Sequence, residues 1–284
     1  MSPRFFDGLL YATTLLQGLN VLAMGLMITR LNWTDNAEII NSLTDLLVLR
    51  ILGGTNACCS VIAPAHELIH RRSRWQRRLG RLLLMTVFYE HFYVAHRSGH
   101  HARLGSREDP STSAIDEGYS EFLWRSVKGQ LLLAWRLQPR TVLRGVSLQF
   151  MVALAYGWAF GPLSLFMWLY VSVVAIRLLE AVNYFQHFGL TQDSGLSSVT
   201  AWRCDSAISL FLFMGLPRHA DHHRRPWVHY PHLEVSAGGP SLPLGYLGTA
   251  IWVKNDCRGY RLWAVRELGR YEARRLPAPG LDTI

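Results

Sequence analysis

Nine of the twelve histidines lie in three short clusters and at one isolated position after an apolar run. They are His66 and His70 in HELIH, His96, His100 and His101 in HRSGHH, His187 in NYFQHFGL, and His219, His222 and His223 in HADHH. Residues four apart share one face of a helix, so His66 and His70 can bind or flank one metal ion. Imidazole suits iron, copper and zinc alike, so the ligand type does not select the metal.

The number of histidines favours two metal ions. HELIH has the HExxH spacing of zinc hydrolases, but zinc uses three or four protein ligands and nine histidines are too many for it. Two metals with four or five nitrogen ligands each account for the number. A zinc hydrolase and a metal transporter stay open as alternatives, and so do solvated loop histidines without a function. A transporter needs polar residues along a path, and the later apolar runs contain almost none beyond Arg177 and Glu180.

The apolar runs predict the elements that position these histidines. Four of them are long enough to cross a bilayer as helices, at about 5–28, 40–65, 142–160 and 163–182. We expect the first to be an uncleaved span rather than a signal peptide. A fifth run, 79–93, must have both ends on the histidine side, which predicts an interfacial or re-entrant helix. The fold class is therefore all-α: an integral membrane helical bundle, one domain over 1–284, with a cytoplasmic histidine-rich metal-binding cap.

Charge and cysteine content restrict the partners. The net charge is +9, but 13 of the 29 Lys and Arg lie between 71 and 140 and only one lies in 30–40. This asymmetry is typical of cytoplasmic loops and places both termini in the cytoplasm, with a bacterial inner membrane as the expected location. It argues against nucleic acid as the partner. The four cysteines show no CxxC spacing, which argues against a disulfide framework and a built-in rubredoxin-type domain.

The chain resembles the integral-membrane alkane hydroxylase (alkane 1-monooxygenase) branch of the fatty-acid desaturase/hydroxylase superfamily. The matching motifs, in the family's order, are AHELIHRR (65–72), HRSGHH (96–101), REDPSTS (107–113), NYFQHFGL (183–190), LPRHADHH (216–223) and SLPLGYLG (241–248). The resemblance implies two non-haem irons held by the nine histidines and cleavage of O2. It implies hydroxylation of an unactivated C–H bond in an alkane, alkyl chain or alkylarene. A fatty-acyl desaturase or acetylenase is the alternative within the same superfamily.

The resemblance also implies partners, and the chain departs from the family at several positions. The expected partners are an apolar or lipid substrate and an external electron carrier, either rubredoxin or ferredoxin with its reductase. We expect the basic run RRSRWQRR (71–78) to be a topology determinant that touches anionic lipid; the alternative is a docking site for an acidic electron carrier or an acyl-carrier protein. The departures are Ala95, Gln186, Pro217 and Ala220, and an N-terminus shorter by about two family spans. With glutamine at position 186, the chain resembles the xylene-type monooxygenases.

Four polar residues are candidates for supporting the ligands. Asp221 lies inside the third cluster and could orient an imidazole through its other nitrogen, as outer carboxylates do in metal sites. Glu67, Asn183 and Gln186 are similar candidates. Glu108 and Asp109 are expected to order the loop after the second cluster. The remaining three histidines fall outside the pattern. We expect His91 to be buried and hydrogen-bonded. We expect His229 and His232 to lie in loops.

Overall fold

A computed structural model describes residues 3–193, 196, 199–236 and 238–275. Within these residues the chain is helical, with one isolated bridge between Arg203 and Ser241 and no strand. The predicted all-α class is confirmed. Both ends of the predicted domain, 1–2 and 276–284, lie outside the described residues.

Ten α-helices of six or more residues organise the described chain, and the first, second, fifth and sixth are long and apolar enough to cross a membrane. They are α1 (Pro3–Ile28), α2 (Asn36–His70), α3 (Arg74–Met85), α4 (Tyr119–Leu137), α5 (Pro139–Phe160), α6 (Pro162–His187), α7 (Ala207–Leu212), α8 (His219–Arg224), α9 (Tyr246–Asn255) and α10 (Cys257–Arg275). The four predicted spans are confirmed, and the chain is an integral membrane protein. α2 and α6 continue five residues beyond their predicted ends, because their last turns carry polar histidines that hydropathy excludes.

The spans begin and end at residues suited to those positions. Asp35 caps α2 through its side chain, which accepts hydrogen bonds from the backbone N–H of Ala37 at 2.9 Å and of Glu38 at 3.0 Å. Gly161 separates α5 from α6 with φ of 86°, a conformation that favours glycine, and Pro162 then occupies the first turn of α6. These residues produce the tight α5–α6 connection that the Gly-Pro pair predicts.

α6 is the central helix of the bundle. In its most apolar 18-residue window 56% of the residues are buried, against 22% in the windows of α1 and α5. Its last three turns, from Leu178 to His187, are buried almost completely. α6 packs along α2, where a Cβ on Gly54 would lie only 2.6 Å from Val174 Cγ1. This close packing holds the histidine-bearing ends of α2 and α6 side by side.

The fifth apolar run, 79–93, forms a re-entrant segment. Helix α3 has 12 residues and is about 18 Å long, which is too short to cross a bilayer. Its end packs against two spans: the Thr86 carbonyl accepts a hydrogen bond from Trp168 Nε1 at 2.6 Å, and the Thr86 hydroxyl accepts one from Gln17 at 3.2 Å. The chain then turns at Phe88, whose φ is 54°, and returns to the second histidine cluster. Both ends of the segment therefore lie on the histidine side.

Candidate metal centre

The first histidine pair occupies the last two turns of α2. A five-residue π-helical stretch, Cys58–Ile62, precedes the final α-helical part, Ala63–His70. His66 and His70 project from one face of that part, with ring centroids 5.2 Å apart. π-helical turns inside α-helices are frequent at functional sites, because they shift the register of the side chains that follow.

The second cluster lies within a π-helix, Ala95–His100, with His101 directly after it. His96 and His100 stack with centroids 5.2 Å apart. The third cluster forms α8, in which His219 and His223 are four residues apart and their Nε2 atoms are 3.1 Å apart. The isolated histidine, His187, is the last residue of α6.

Eight of the nine predicted ligands converge in two groups, and within each group all ligand atoms lie within 4.8 Å of one another. The first histidine group is His66, His70, His96 and His222. The second histidine group is His100, His187, His219 and His223. Each group takes residues from three separate segments of the chain.

His101, the ninth histidine, lies between the two groups. Its Nε2 is 3.1 Å from His96 Nε2 and 3.2 Å from His222 Nε2, both in the first group. His223 has the equivalent position in the second group, since its Nε2 is 3.2 Å from that of His100 and 3.1 Å from that of His219. His101 therefore lies beside the first group, and its ring centroid is also 4.5 Å from that of His223.

The ring nitrogens have the chemistry that a metal ion needs. Buried nitrogens of four residues have no hydrogen-bond partner among the described residues: His66 Nε2, His70 Nε2, His187 Nε2 and His219 Nδ1. An unpaired buried polar atom is costly unless something else satisfies it. Burial, and then the neighbouring imidazoles, lower the pKa of His96, His219 and His222 well below the usual value, and that of His101 to about 2. Neutral imidazoles, the form that binds metals, are therefore retained at neutral pH.

Two ring nitrogens of the second group are fixed by the protein. His100 Nδ1 lies 2.8 Å from Asp109 Oδ2, and His187 Nδ1 donates to the Thr200 carbonyl at 3.0 Å. Burial alone raises the pKa of Asp109, but His100, Thr112 and the Ser111 N–H lower it to about 2. A carboxylate on the outer nitrogen sets the tautomer and orientation of a ligand imidazole.

Comparisons with known proteins agree with this geometry. Residues 44–234 match the family model described as fatty acid desaturase. That match covers more than half of the chain. The chain belongs to the fatty acid desaturase family. The resemblance deduced from its motifs is thereby confirmed.

Relatives within this family have assigned activities. The chain is 31% identical over 214 residues to alkane 1-monooxygenase 1 of Pseudomonas aeruginosa, covering 67% of this chain and 55% of the relative. It is 30% identical over 237 residues to alkane 1-monooxygenase 1 of Alcanivorax borkumensis, covering 76% and 58%. It is 24% identical over 195 residues to the xylene/toluene monooxygenase hydroxylase component of Pseudomonas putida, covering 63% and 53%. The chain thus spans little more than half the length of these relatives.

The four predicted supporting residues have other partners. Asp221 accepts from Arg224 and Arg225, each at 2.6 Å, and from the Glu234 N–H at 2.9 Å. Among the described residues it has no hydrogen bond to an imidazole. The other three lie close to the centre but bond elsewhere: Glu67 to Arg71, Asn183 to Glu180, and Gln186 to Tyr246. The carboxylate that does meet a ligand ring is Asp109, which the sequence assigned only to loop ordering.

Sequence reasoning missed a buried charge cluster next to the first group. Arg71, 3% exposed, lies 2.8 Å from Asp7 on α1 and 2.9 Å from Glu67 on α2, and it contacts His229. Glu67 also accepts from the Tyr230 N–H at 3.3 Å. The cluster joins α1, α2 and the loop after α8. Only the proximity of Arg71 to HELIH hinted at it, because Asp7 is 64 residues away in the chain.

The histidines outside the pattern stay outside the centre. His91 is 8% exposed, packs on the Tyr89 ring at 4.7 Å and belongs to neither group. Its Nε2 lacks a partner among the described residues, so the expected hydrogen bond is not seen at that atom. His229 and His232 lie in the loop after α8, as expected.

An apolar pocket borders both groups. His66 and His96 of the first group and His219 of the second contribute to its wall. The rest of the wall is largely apolar: Cys58, Ile62, Ala63, Phe92, Leu179, Val182, Phe213 and Leu216, with Asn183 and Gln186. Its cavity volume is about 20 Å³, so it holds a group of methyl size, which would lie directly against the converging imidazoles.

Proposed function

We propose that the chain is a non-haem di-iron membrane monooxygenase. It hydroxylates the terminal methyl group of an alkane, an alkyl chain or an alkylarene, with O2 and an external electron donor. The observation that carries the proposal is the apolar pocket bounded by imidazoles of both histidine groups. The similarity to alkane and xylene/toluene monooxygenases supports the same reaction class.

The nine histidines would hold two irons. His101 joins the first histidine group, giving five ligands there and four in the second. Four unpartnered buried nitrogens and a set of neutral imidazoles support this assignment. Iron held there supplies the oxidising chemistry that an unactivated C–H bond requires. The donor set without cysteine is also consistent with iron.

The chain's own residues position the substrate and the imidazoles, and they exclude water from the site. Phe92, Phe213 and Leu216 bind the apolar substrate against the imidazoles and exclude water from the reacting carbon. Asp109 holds a proton on His100 Nδ1, and the Thr200 carbonyl holds one on His187 Nδ1, so that both Nε2 atoms stay free. Membrane embedding brings the site to substrates that dissolve in lipid.

The alternatives are weaker. Desaturation starts from the same kind of C–H cleavage, and the outcome depends on the placement of the substrate carbon. The family name supports a desaturase, whereas the matched relatives are named as monooxygenases. A zinc hydrolase needs Glu67 as a free base, but that carboxylate is paired with Arg71 at 2.9 Å. A metal transporter needs a polar path across the spans, and the groups lie at one end of α2 and α6.

Partners and location follow from the same proposal. The electron donor would be rubredoxin or ferredoxin with its reductase, the carriers that the family resemblance implies. The basic run after His70 would meet an acidic carrier, including an acyl-carrier protein. We place the protein in a bacterial inner membrane, with both termini and the histidine groups on the cytoplasmic side.

The test is product identification. The protein, expressed with a reductase system, is supplied with alkanes, alkylbenzenes and fatty acids, and the products are analysed by mass spectrometry. We expect terminal alcohols that incorporate one atom from labelled O2. Alkenes without alcohols would reject hydroxylation in favour of desaturation. Products without the label would reject an oxygenase.

A further inference from the structure

Three cations on the outside of the bundle have no acidic partner. Arg50 on α2, Arg177 on α6 and Lys254 on α9 are all exposed. None of them forms an ion pair with a described residue. The nearby acids are engaged elsewhere: Asp256 accepts from the Gly259 N–H at 2.9 Å, and Glu180 is buried among four donors.

The three helices pack so that these cations converge. Gly54 of α2 touches Val174 of α6, and both helices run in the same direction there. Arg50 and Arg177 are therefore separated by seven residues of helix rise, about 10 Å, which two arginine side chains can close. α9 packs against α6, and its Lys254 lies within electrostatic range of Arg177, of Arg50 and of Cys58 on α2.

The electrostatics agree with this placement. Burial, and then the charges of Arg177 and Arg50, lower the pKa of Lys254. Like charges that approach without a counter-ion repel one another. An anion bound between them would remove that repulsion.

Each cation is preceded by an exposed aliphatic residue one helical turn earlier. These residues are Leu47 before Arg50, Val173 before Arg177, and Ile251 before Lys254, and they are 55%, 51% and 61% exposed. A surface with aliphatic side chains next to cations matches an amphiphile with an anionic head and an apolar tail. The cations do not line the apolar pocket beside the histidines; they lie on the outer surface of the bundle, where membrane lipid is the nearest amphiphile.

We infer that Arg50, Arg177 and Lys254 form a binding site for the phosphate head group of an anionic phospholipid. The acyl chain of that lipid lies along Leu47, Val173 and Ile251. Basic pockets between spans are known places for head groups of this kind. The site is separate from the histidine groups and does not depend on the proposed reaction.

The test counts bound lipid. Purified full-length protein in detergent is titrated with phosphatidylglycerol or with phosphatidylcholine, and adducts are counted by native mass spectrometry. We expect tighter binding of phosphatidylglycerol. Arg50→Gln, Arg177→Gln and Lys254→Gln should each weaken it about five-fold, which corresponds to about 1 kcal/mol per charge. The triple variant should lose the preference.

The matched control is Arg144→Gln, which removes an exposed cation from α5. It should bind phosphatidylglycerol like the wild type. If a glutamine variant fails to fold, Arg177→Lys and Lys254→Arg keep the charge and should retain binding. Equal binding of both lipids, or a preference that survives the triple change, would overturn the inference. Displacement of the lipid by equimolar inorganic phosphate or laurate would also overturn it, because the site would then select a free anion or a carboxylate.

Discussion

The two histidine groups are built from the same residue type, yet the protein holds them in different ways. In the second group, Asp109 and the Thr200 carbonyl bond directly to the outer nitrogens of His100 and His187. In the first group, no carboxylate contacts a ring among the described residues. Its two members on α2, His66 and His70, are fixed from behind instead, by Arg71 and by the close packing of α3. One group is thus oriented at its rings and the other through its backbone.

This difference predicts which substitutions should disturb each histidine group. A change in a hydrogen-bond partner should disturb the second group locally and leave the fold intact. A change behind α2 should move His66 and His70 together and cost stability as well. The expected effects below run from the largest to the smallest.

His187→Ala should have the largest effect. The variant removes an imidazole whose buried Nε2 has no other partner, so the second group loses one of four converging nitrogens. We expect hydroxylation to fall by more than about 100-fold, beyond the range for outer partners, while membrane insertion is unchanged. Activity and metal content are measured together.

The control for that change is His91→Ala, which removes a buried histidine outside both groups. It should keep the wild-type metal content. Full activity in His187→Ala, or equal metal loss in both variants, would remove His187 from the ligand set.

Arg71→Gln should be the most destabilising change. It leaves the buried Glu67 and the half-buried Asp7 without their cation, and breaking a buried ion pair costs about 3–5 kcal/mol. We expect a lower midpoint of thermal unfolding in detergent and weaker metal binding to the first group. Arg72→Gln, at the exposed neighbour, is the control. Equal midpoints for the two variants would show that the charge cluster does not hold α2.

Asp109→Asn should act on the second group alone. The amide cannot serve as the charged acceptor for His100, and loss of such a partner typically costs about 10- to 100-fold in metal affinity or activity. Metal affinity is measured beside Asp116→Asn, which alters an exposed carboxylate of the same loop. Asp221→Asn should change metal affinity less, because Asp221 bonds to arginines. The reverse ranking of Asp109 and Asp221 would contradict the geometry.

Gly80→Ala should have the smallest effect. A Cβ at this position in α3 would lie 2.8 Å from Ile69 Cγ2 and 3.0 Å from the Ala65 carbonyl, so α3 must move away from the histidine-bearing turns of α2. Such overpacking costs about 1–3 kcal/mol. Thermal unfolding is compared with Gly18→Ala, where nothing lies within 4 Å. A stability loss in Gly18→Ala that matches Gly80→Ala would refute the packing explanation.

The sequence predicted what is encoded locally. Hydropathy located the four spans, and the four-residue spacing placed His66 and His70 on one face. The hydrogen bond between His100 and Asp109 could not be predicted from the sequence, because it depends on how the loop after the π-helix folds back. Asp221 was a candidate for orienting an imidazole because of its position beside the predicted ligands. Its carboxylate instead accepts hydrogen bonds from Arg224 and Arg225, which follow within four residues. The division of eight histidines into two groups required the packing of α2, α6 and α8 around the π-helix Ala95–His100.

The most direct test of the proposed two-metal centre is the metal content of the purified protein. Elemental analysis after reconstitution should give about two irons per chain, one for each histidine group. Zinc as the only metal, or a single iron that stays single at saturation, would contradict the account.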